Sequence, residues 1–218
     1  MSVGESQRET AYGRSFRCKC VEFFASIRDS RSQTLQDATM RRQGNVFLIG
    51  PMGSGKTAVG RHLARMLRFT FLDSDADIEC KTGVDIPFIF EKEGESGFRI
   101  REKEAIERLT RLESIVLATG GGAVIDADNR RILSERGVVV YLETSIDQQL
   151  ERTRHARHRP LLNDTDPESK LVELMRRRAA LYAEIADFTV STDARRVQLV
   201  AEEIQQHLRR TLGSERLV

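Results

Sequence analysis

The sequence predicts an α/β protein built on a parallel sheet with helices covering both faces. Three observations predict it. Short apolar runs at 46–49, 69–72, 115–118, 138–142 and 188–190 read as five buried strands,. Longer stretches with apolar residues at helical spacing separate them. The first run leads straight into a glycine-rich turn, and a helical pattern follows that turn.

Each element has its own signal. Val46 to Ile49 is continuous and apolar and ends at Gly50. Residues 56–67 repeat Val59, Leu63, Met66 and Leu67 at helical spacing,. A long amphipathic stretch near 97–112 carries Phe98, Ala105, Leu109 and Leu112 on one stripe. The third run ends in Gly120-Gly121-Gly122. Asp126 is placed to cap a helix that reaches Arg136 and stops at Gly137,. Thr144 or Ser145 caps the next helix. Asp166-Pro167 starts a helix to residue 185, and the tail to Leu212 reads as helical,.

Composition narrows the function classes. The 218 residues suffice for one domain with an appendage,. No apolar run is long enough for a membrane span, and no membrane partner is expected. A formal net charge of +2 gives no global pull toward nucleic acid,. Aromatic residues are 6% with no Trp, which argues against a stacking platform for single strands,. Cys18, Cys20 and Cys80 cannot all pair with one another and match no zinc spacing, so a reducing, cytoplasmic setting is expected,. Residues 1–44 are rich in Arg, Ser and Gln and read as a disordered arm,. Glu5, Glu9, Glu22 and Asp29 oppose a transit peptide, and Met40 is an alternative start,. The expected organisation is this arm followed by one domain over 45–218.

Gly50-Pro51-Met52-Gly53-Ser54-Gly55-Lys56-Thr57 fits G-x-x-x-x-G-K-[ST] between a buried strand and a helix,. Glycines let the backbone wrap an anion closely, and the helix N-terminus adds its positive end. Lys56 supplies a mobile charge for the outer phosphates, and Thr57 offers a hydroxyl to Mg²⁺. The pattern points to a nucleoside triphosphate and says nothing of the second substrate.

Other positions carry two readings each. Asp73 and Asp75 flank the end of the second strand, where ligands of such sheets lie,. Spaced i, i+2 in extended chain they face one side, one to hold Mg²⁺ through water and one to take a proton. Alternatively Asp75 caps a helix starting at Ala76. Arg178 falls in the middle of the stripe Leu171, Leu174, Met175, Leu181, Tyr182 and Ile185,. A guanidinium there needs an anion, either a protein carboxylate or a ligand. Arg99 could clamp a carboxylate, although by position alone it is solvated. The triple glycine is a flexible turn or a surface for ligand. With the third strand beside the first, Thr119 sits next to the phosphate loop. Residues 152–166 are dense in charge and read as a lid, a nucleic-acid patch or a solvated loop,. His155 and His158 lack an acidic or Cys partner for a metal,.

Together these residues resemble the shikimate kinases. The motifs are the phosphate loop, Leu72-Asp73-Ser74-Asp75, Gly94-Glu95 with Phe98-Arg99, Gly120-Gly121-Gly122, Arg159-Pro160-Leu161-Leu162, and Arg178 before Leu181-Tyr182. They run in order over about residues 45–210. The resemblance implies a three-layer P-loop kinase fold of the nucleoside-monophosphate-kinase type, with a five-stranded parallel sheet and a mobile lid at about 152–166. It implies ATP-dependent phosphorylation of the shikimate 3-hydroxyl in chorismate and aromatic amino acid synthesis, by a monomer, with one Mg²⁺ per subunit and no nucleic-acid partner. Gly53, Ser54, Gly55, Lys56, Thr57 and Ala58 would bind nucleotide, with Arg152 against adenine. Thr57 and Asp73 would serve the metal. Asp75 would be base to the reacting hydroxyl, Arg99 and Arg178 would clamp the carboxylate, and Gly121 and Gly122 would lie against the ring. Lys56 and Arg159, the latter from the lid, would reach the transferring phosphoryl group. Thr57 stands where Ser is commoner, and residues 195–197 do not match the family's adenine side cleanly.

Overall fold

Apolar residues in the first strand alternate between two helical layers. In a computed structural model, described over residues 44–154 and 166–212, β1 (Val46–Ile49) is buried at every position. Val46 and Leu48 pack on one face with α1 (Lys56–Leu67) and α7 (Val197–Leu212). Phe47 and Ile49 face the other layer. That layer comprises α3 (Ile86–Leu109), α4 (Ala127–Arg136) and α6 (Pro167–Ile185). A strand covered on both faces has to be apolar throughout, which is why these strands read as runs without alternation. Residues 1–43 of the expected arm over 1–44, His155, His158, Arg159 and most of the expected lid lie outside the described residues.

The remaining strands are β2 (Thr70–Asp73), β3 (Ile115–Ala118), β4 (Val138–Glu143) and β5 (Phe188–Ser191). All pairs are parallel in the order β2-β3-β1-β4-β5, with Val46 opposite both Val116 and Val138. The order reverses at β1, so the crevice outside its carboxyl end is the expected ligand site.

The predicted elements are present, with corrections at their ends. The second strand is shifted by one residue: Phe69 donates its amide to Ala64 across a left-handed Arg68, and Asp73 pairs with Ala118. Asp126, Ser145 and Asp166 cap α4, α5 (Ile146–Thr153) and α6, each accepting from an amide in the first turn. The stretch expected near 97–112 is the second half of α3. Gly94, at φ 70 and ψ −177, breaks that helix, and its first half is capped by Asp85. Ahead of it lies α2 (Ser74–Thr82). Ile78, Ile89, Phe98 and Ala105 form a small separate core joining α2 to α3, beside the crevice. No helix among the described residues is long and apolar enough to cross a membrane.

Candidate active site

The loop from β1 into α1 is shaped by two glycines in the left-handed region, Gly53 at φ 77 and Gly55 at φ 87. An L side chain is strained there, and without one the loop amides can turn inward ahead of the α1 N-terminus. The Lys56 ammonium folds over the loop and donates to the Gly50 and Pro51 carbonyls at 2.8 and 2.7 Å. Arg152, from α5, donates to the Gly53 carbonyl at 3.0 Å and to the Thr192 carbonyl at 2.7 Å. It ties the loop to the chain after β5. Thr119 donates its amide to the Leu48 carbonyl at 3.1 Å, which puts it beside the loop as expected from β3 neighbouring β1.

Asp73 and Asp75 do not share an extended segment. Asp73 is the last residue of β2 and caps α2, its Oδ1 accepting from the Asp75 and Ala76 amides. Asp75 lies in the first helical turn, so the capping role expected for it belongs to Asp73. The other Asp73 oxygen accepts from the Thr57 hydroxyl at 2.8 Å. A hydroxyl and a carboxylate so paired, next to the phosphate loop, suit Mg²⁺, which takes few protein ligands and fills its shell with water and phosphate oxygens. Among the described residues no group of three His, Cys, Asp or Glu side chains forms an all-protein cage.

Asp75 packs against the glycine loop. The Ser74 hydroxyl takes the Gly120 amide at 2.9 Å and faces Asp75 Oδ1 at 3.4 Å. Removal from water, then the charges of Asp73 and Glu102, push the Asp75 carboxyl from 3.8 up to about 7, against the opposing pull of Lys56 and Ser74. An acid poised near neutrality suits proton transfer.

Arg99 corrects the solvated reading. Its side chain is only 20% exposed. Its Nη1 donates to Glu102 at 2.5 Å and its Nη2 to Glu95 at 2.8 Å. The guanidinium lies so close over Gly122 that a β-carbon there would overlap it. Arg178 is buried, as its place on the stripe predicts, but among the described residues no carboxylate pairs with it. Its Nη1 donates to the Gly121 carbonyl at 3.3 Å, and its Nε is buried without a partner. Tyr182, one turn further along α6, donates to the same carbonyl at 2.5 Å. An unpaired donor on a buried cation is the signature of a site built for an anion.

These groups line one cavity of about 520 Å³. It takes in Gly53, Gly55, Lys56, Thr57 and Ala58 from the phosphate side. Asp73, Asp75, Arg99, Gly121, Gly122, Arg152 and Arg178 line it as well, while Arg159 lies outside the described residues. Ser54 is fully buried within the loop and does not reach the cavity wall. Glu102 was absent from the expected residues. It is fully buried, its Oε1 has no partner, and burial pushes its carboxyl up against the pull of Arg99. The signal was available: Glu102 falls on the stripe between Phe98 and Ile106, as Arg178 does on its own helix,.

A parallel five-stranded sheet with a phosphate loop at its switch point, and a second anion subsite across the same cavity, defines a P-loop kinase of the nucleoside-monophosphate-kinase type. The shikimate kinase family model matches residues 52–209. A shikimate kinase from Psychromonas ingrahamii is 54% identical over 76% of this chain and 96% of its own length. The structure of shikimate kinase from Acinetobacter baumannii in complex with shikimate aligns with a TM-score of 0.77 and 48% identity, over 79% of this chain and 97% of that one. A gluconokinase from Sinorhizobium meliloti, at 20% identity and a TM-score of 0.55, covers 79% of this chain and 95% of its own, and shares the fold alone. The chain belongs to the shikimate kinase family.

Proposed function

We propose that the chain transfers the γ-phosphoryl group of ATP to the 3-hydroxyl of shikimate, giving shikimate 3-phosphate and ADP, within chorismate and aromatic amino acid synthesis. One observation carries the reading: Asp75, Arg99 and Arg178 share a single cavity with the phosphate loop. An anion subsite and a near-neutral acid then stand across from the phosphates.

Arg178, with its unpaired Nε, and Arg99 take the ring carboxylate, for which a guanidinium supplies paired donors,. Gly121 and Gly122 let the ring approach the backbone. This fixes the 3-hydroxyl toward Asp75, which accepts its proton as the oxygen attacks phosphorus. The O–P bond to shikimate forms as the bond from γ-phosphorus to the bridging oxygen breaks, and ADP leaves with that electron pair. The loop amides of Gly53 to Ala58 hold the phosphates. Lys56 turns from the loop carbonyls to the outer phosphates and offsets their charge. Arg152 flanks the adenine, and Arg159, outside the described residues, is the arginine we assign to the transferring phosphoryl group. Thr57 and, through water, Asp73 would hold Mg²⁺, which when bound neutralises phosphate charge. Every residue named comes from one chain, and we read the working unit as a cytoplasmic monomer.

The test is release of ADP from ATP and shikimate by the purified protein, read in a coupled assay with gluconate as the control acceptor. Shikimate-dependent ADP release is expected. Turnover with gluconate instead, or none above the ATP background, overturns the reading.

A further inference from the structure

Arg99 has two carboxylate partners of opposite character. Glu102 is fully buried, and its Oε2 takes Nη1 at 2.5 Å. Glu95 sits one helical turn before Arg99. Its Oε1 takes Nη2 at 2.8 Å while its side chain stays 52% exposed. Breaking a buried pair strands a charge away from water, so Glu102 is a fixed partner. Releasing an exposed carboxylate costs little, so Glu95 is an exchangeable one.

An ordinary i, i+4 pair on a helix surface holds both groups in water. Here Arg99 faces inward, lies on Gly122 and lines the cavity together with Arg178. Glu95 therefore leans over the cationic wall of the site. Its hydrogen bond to Arg99, with the further charges of Arg178 and Lys170, holds its carboxyl below the usual range. Nη2, which now bonds Glu95, is one of the Arg99 donors an incoming carboxylate competes for,.

We propose that Glu95 is an internal counter-ion of the carboxylate subsite, seated on Arg99 until the substrate's own carboxylate displaces it. Its charge sets how readily the site takes up anions. A simple monoanion gains too little from Arg99 alone to displace it. A ligand that also satisfies Arg178 and Asp75 does displace it, and Glu95 returns to water while Glu102 keeps Arg99 in place. Glu95 is thus a specificity-determining residue. The inference rests on the proposed function for the identity of the substrate.

The test compares the wild type with Glu95→Gln and Glu95→Ala, both of which keep Arg99 and Glu102. Shikimate and benzoate binding are measured by calorimetry without nucleotide, and turnover by steady-state kinetics. Both variants are expected to lower the Kd and KM for shikimate about two- to fivefold, the scale of an exposed ion pair. The kcat and the KM for ATP should stay unchanged, and benzoate should bind more tightly by a similar factor. An unchanged or raised KM for shikimate in both variants overturns the inference. If the wild type neither binds nor turns over shikimate, it is the proposed function that fails. Benzoate binding then decides the counter-ion role alone: tighter binding in the variants supports it, and equal binding overturns it.

Discussion

Replacing Asp75 by Asn removes a charge that folding disfavours. The carboxyl moves from 3.8 in ordinary surroundings to about 7 in the fold. Taken at face value this amounts to about 4 kcal/mol of stability lost once both states are ionised. Asp75 is only partly buried, and water in the cavity screens its neighbours, which brings the expected effect to about 2 kcal/mol,. The sign follows from which state gives up its proton first. As pH rises the unfolded chain ionises first, so the wild type loses stability from about pH 4 upward and levels off above the folded value near 7,. Asn keeps the shape and the acceptor facing Ser74 but does not titrate. Thermal unfolding followed by circular dichroism, in EDTA and without nucleotide, should therefore show the variant more stable at pH 8 by roughly 4–8 °C. At pH 4.5 the gain should shrink to about a quarter to a half of that. Shikimate phosphorylation should be lost in the same variant. Equal stability of the two proteins at pH 8, or a gain of the same size at both pH values, would refute the reasoning.

Other changes probe the substrate side. Arg178→Lys replaces a fork by a single point charge, and the KM for shikimate should rise roughly ten- to a hundredfold with the KM for ATP little changed. Gly122→Ala drives a methyl group into the Arg99 guanidinium. A loss of shikimate affinity on the order of tenfold is expected in calorimetry, with the circular dichroism spectrum unchanged. EDTA should abolish turnover and added Mg²⁺ restore it, and Thr57→Ala should raise the Mg²⁺ concentration needed for half-maximal rate.

Much of the site was legible because its parts are local. The phosphate loop is eight consecutive residues, so covalent connection alone sets glycines, lysine and helix start in order. The caps Asp126, Ser145 and Asp166 act within one turn and were read for the same reason. Arg178 was legible through periodicity, since a charge on an apolar stripe marks itself. The same rule applied to α3 would have marked Glu102. The roles of Asp73 and Asp75 were not separable by spacing, because the outcome depends on where β2 stops pairing. Asp73 pairs with Ala118 at the end of the ladder, and the next residue begins a helix.

The amino-acid order by itself determined the strands, most of the helices, the loop that wraps phosphate and the family to which the chain belongs, because periodicity, turn chemistry and contiguous motifs act over a few residues. Tertiary structure alone decided that Arg99 turns inward and is half-buried, that Glu102 lies beneath it, and that Asp75 is pushed toward neutrality. Each of these depends on the sheet order β2-β3-β1, which brings the Gly120–Gly122 turn against α2 and α3. Burial and charge coupling are properties of neighbours in space, and residues tens of positions apart become neighbours only when the chain is folded.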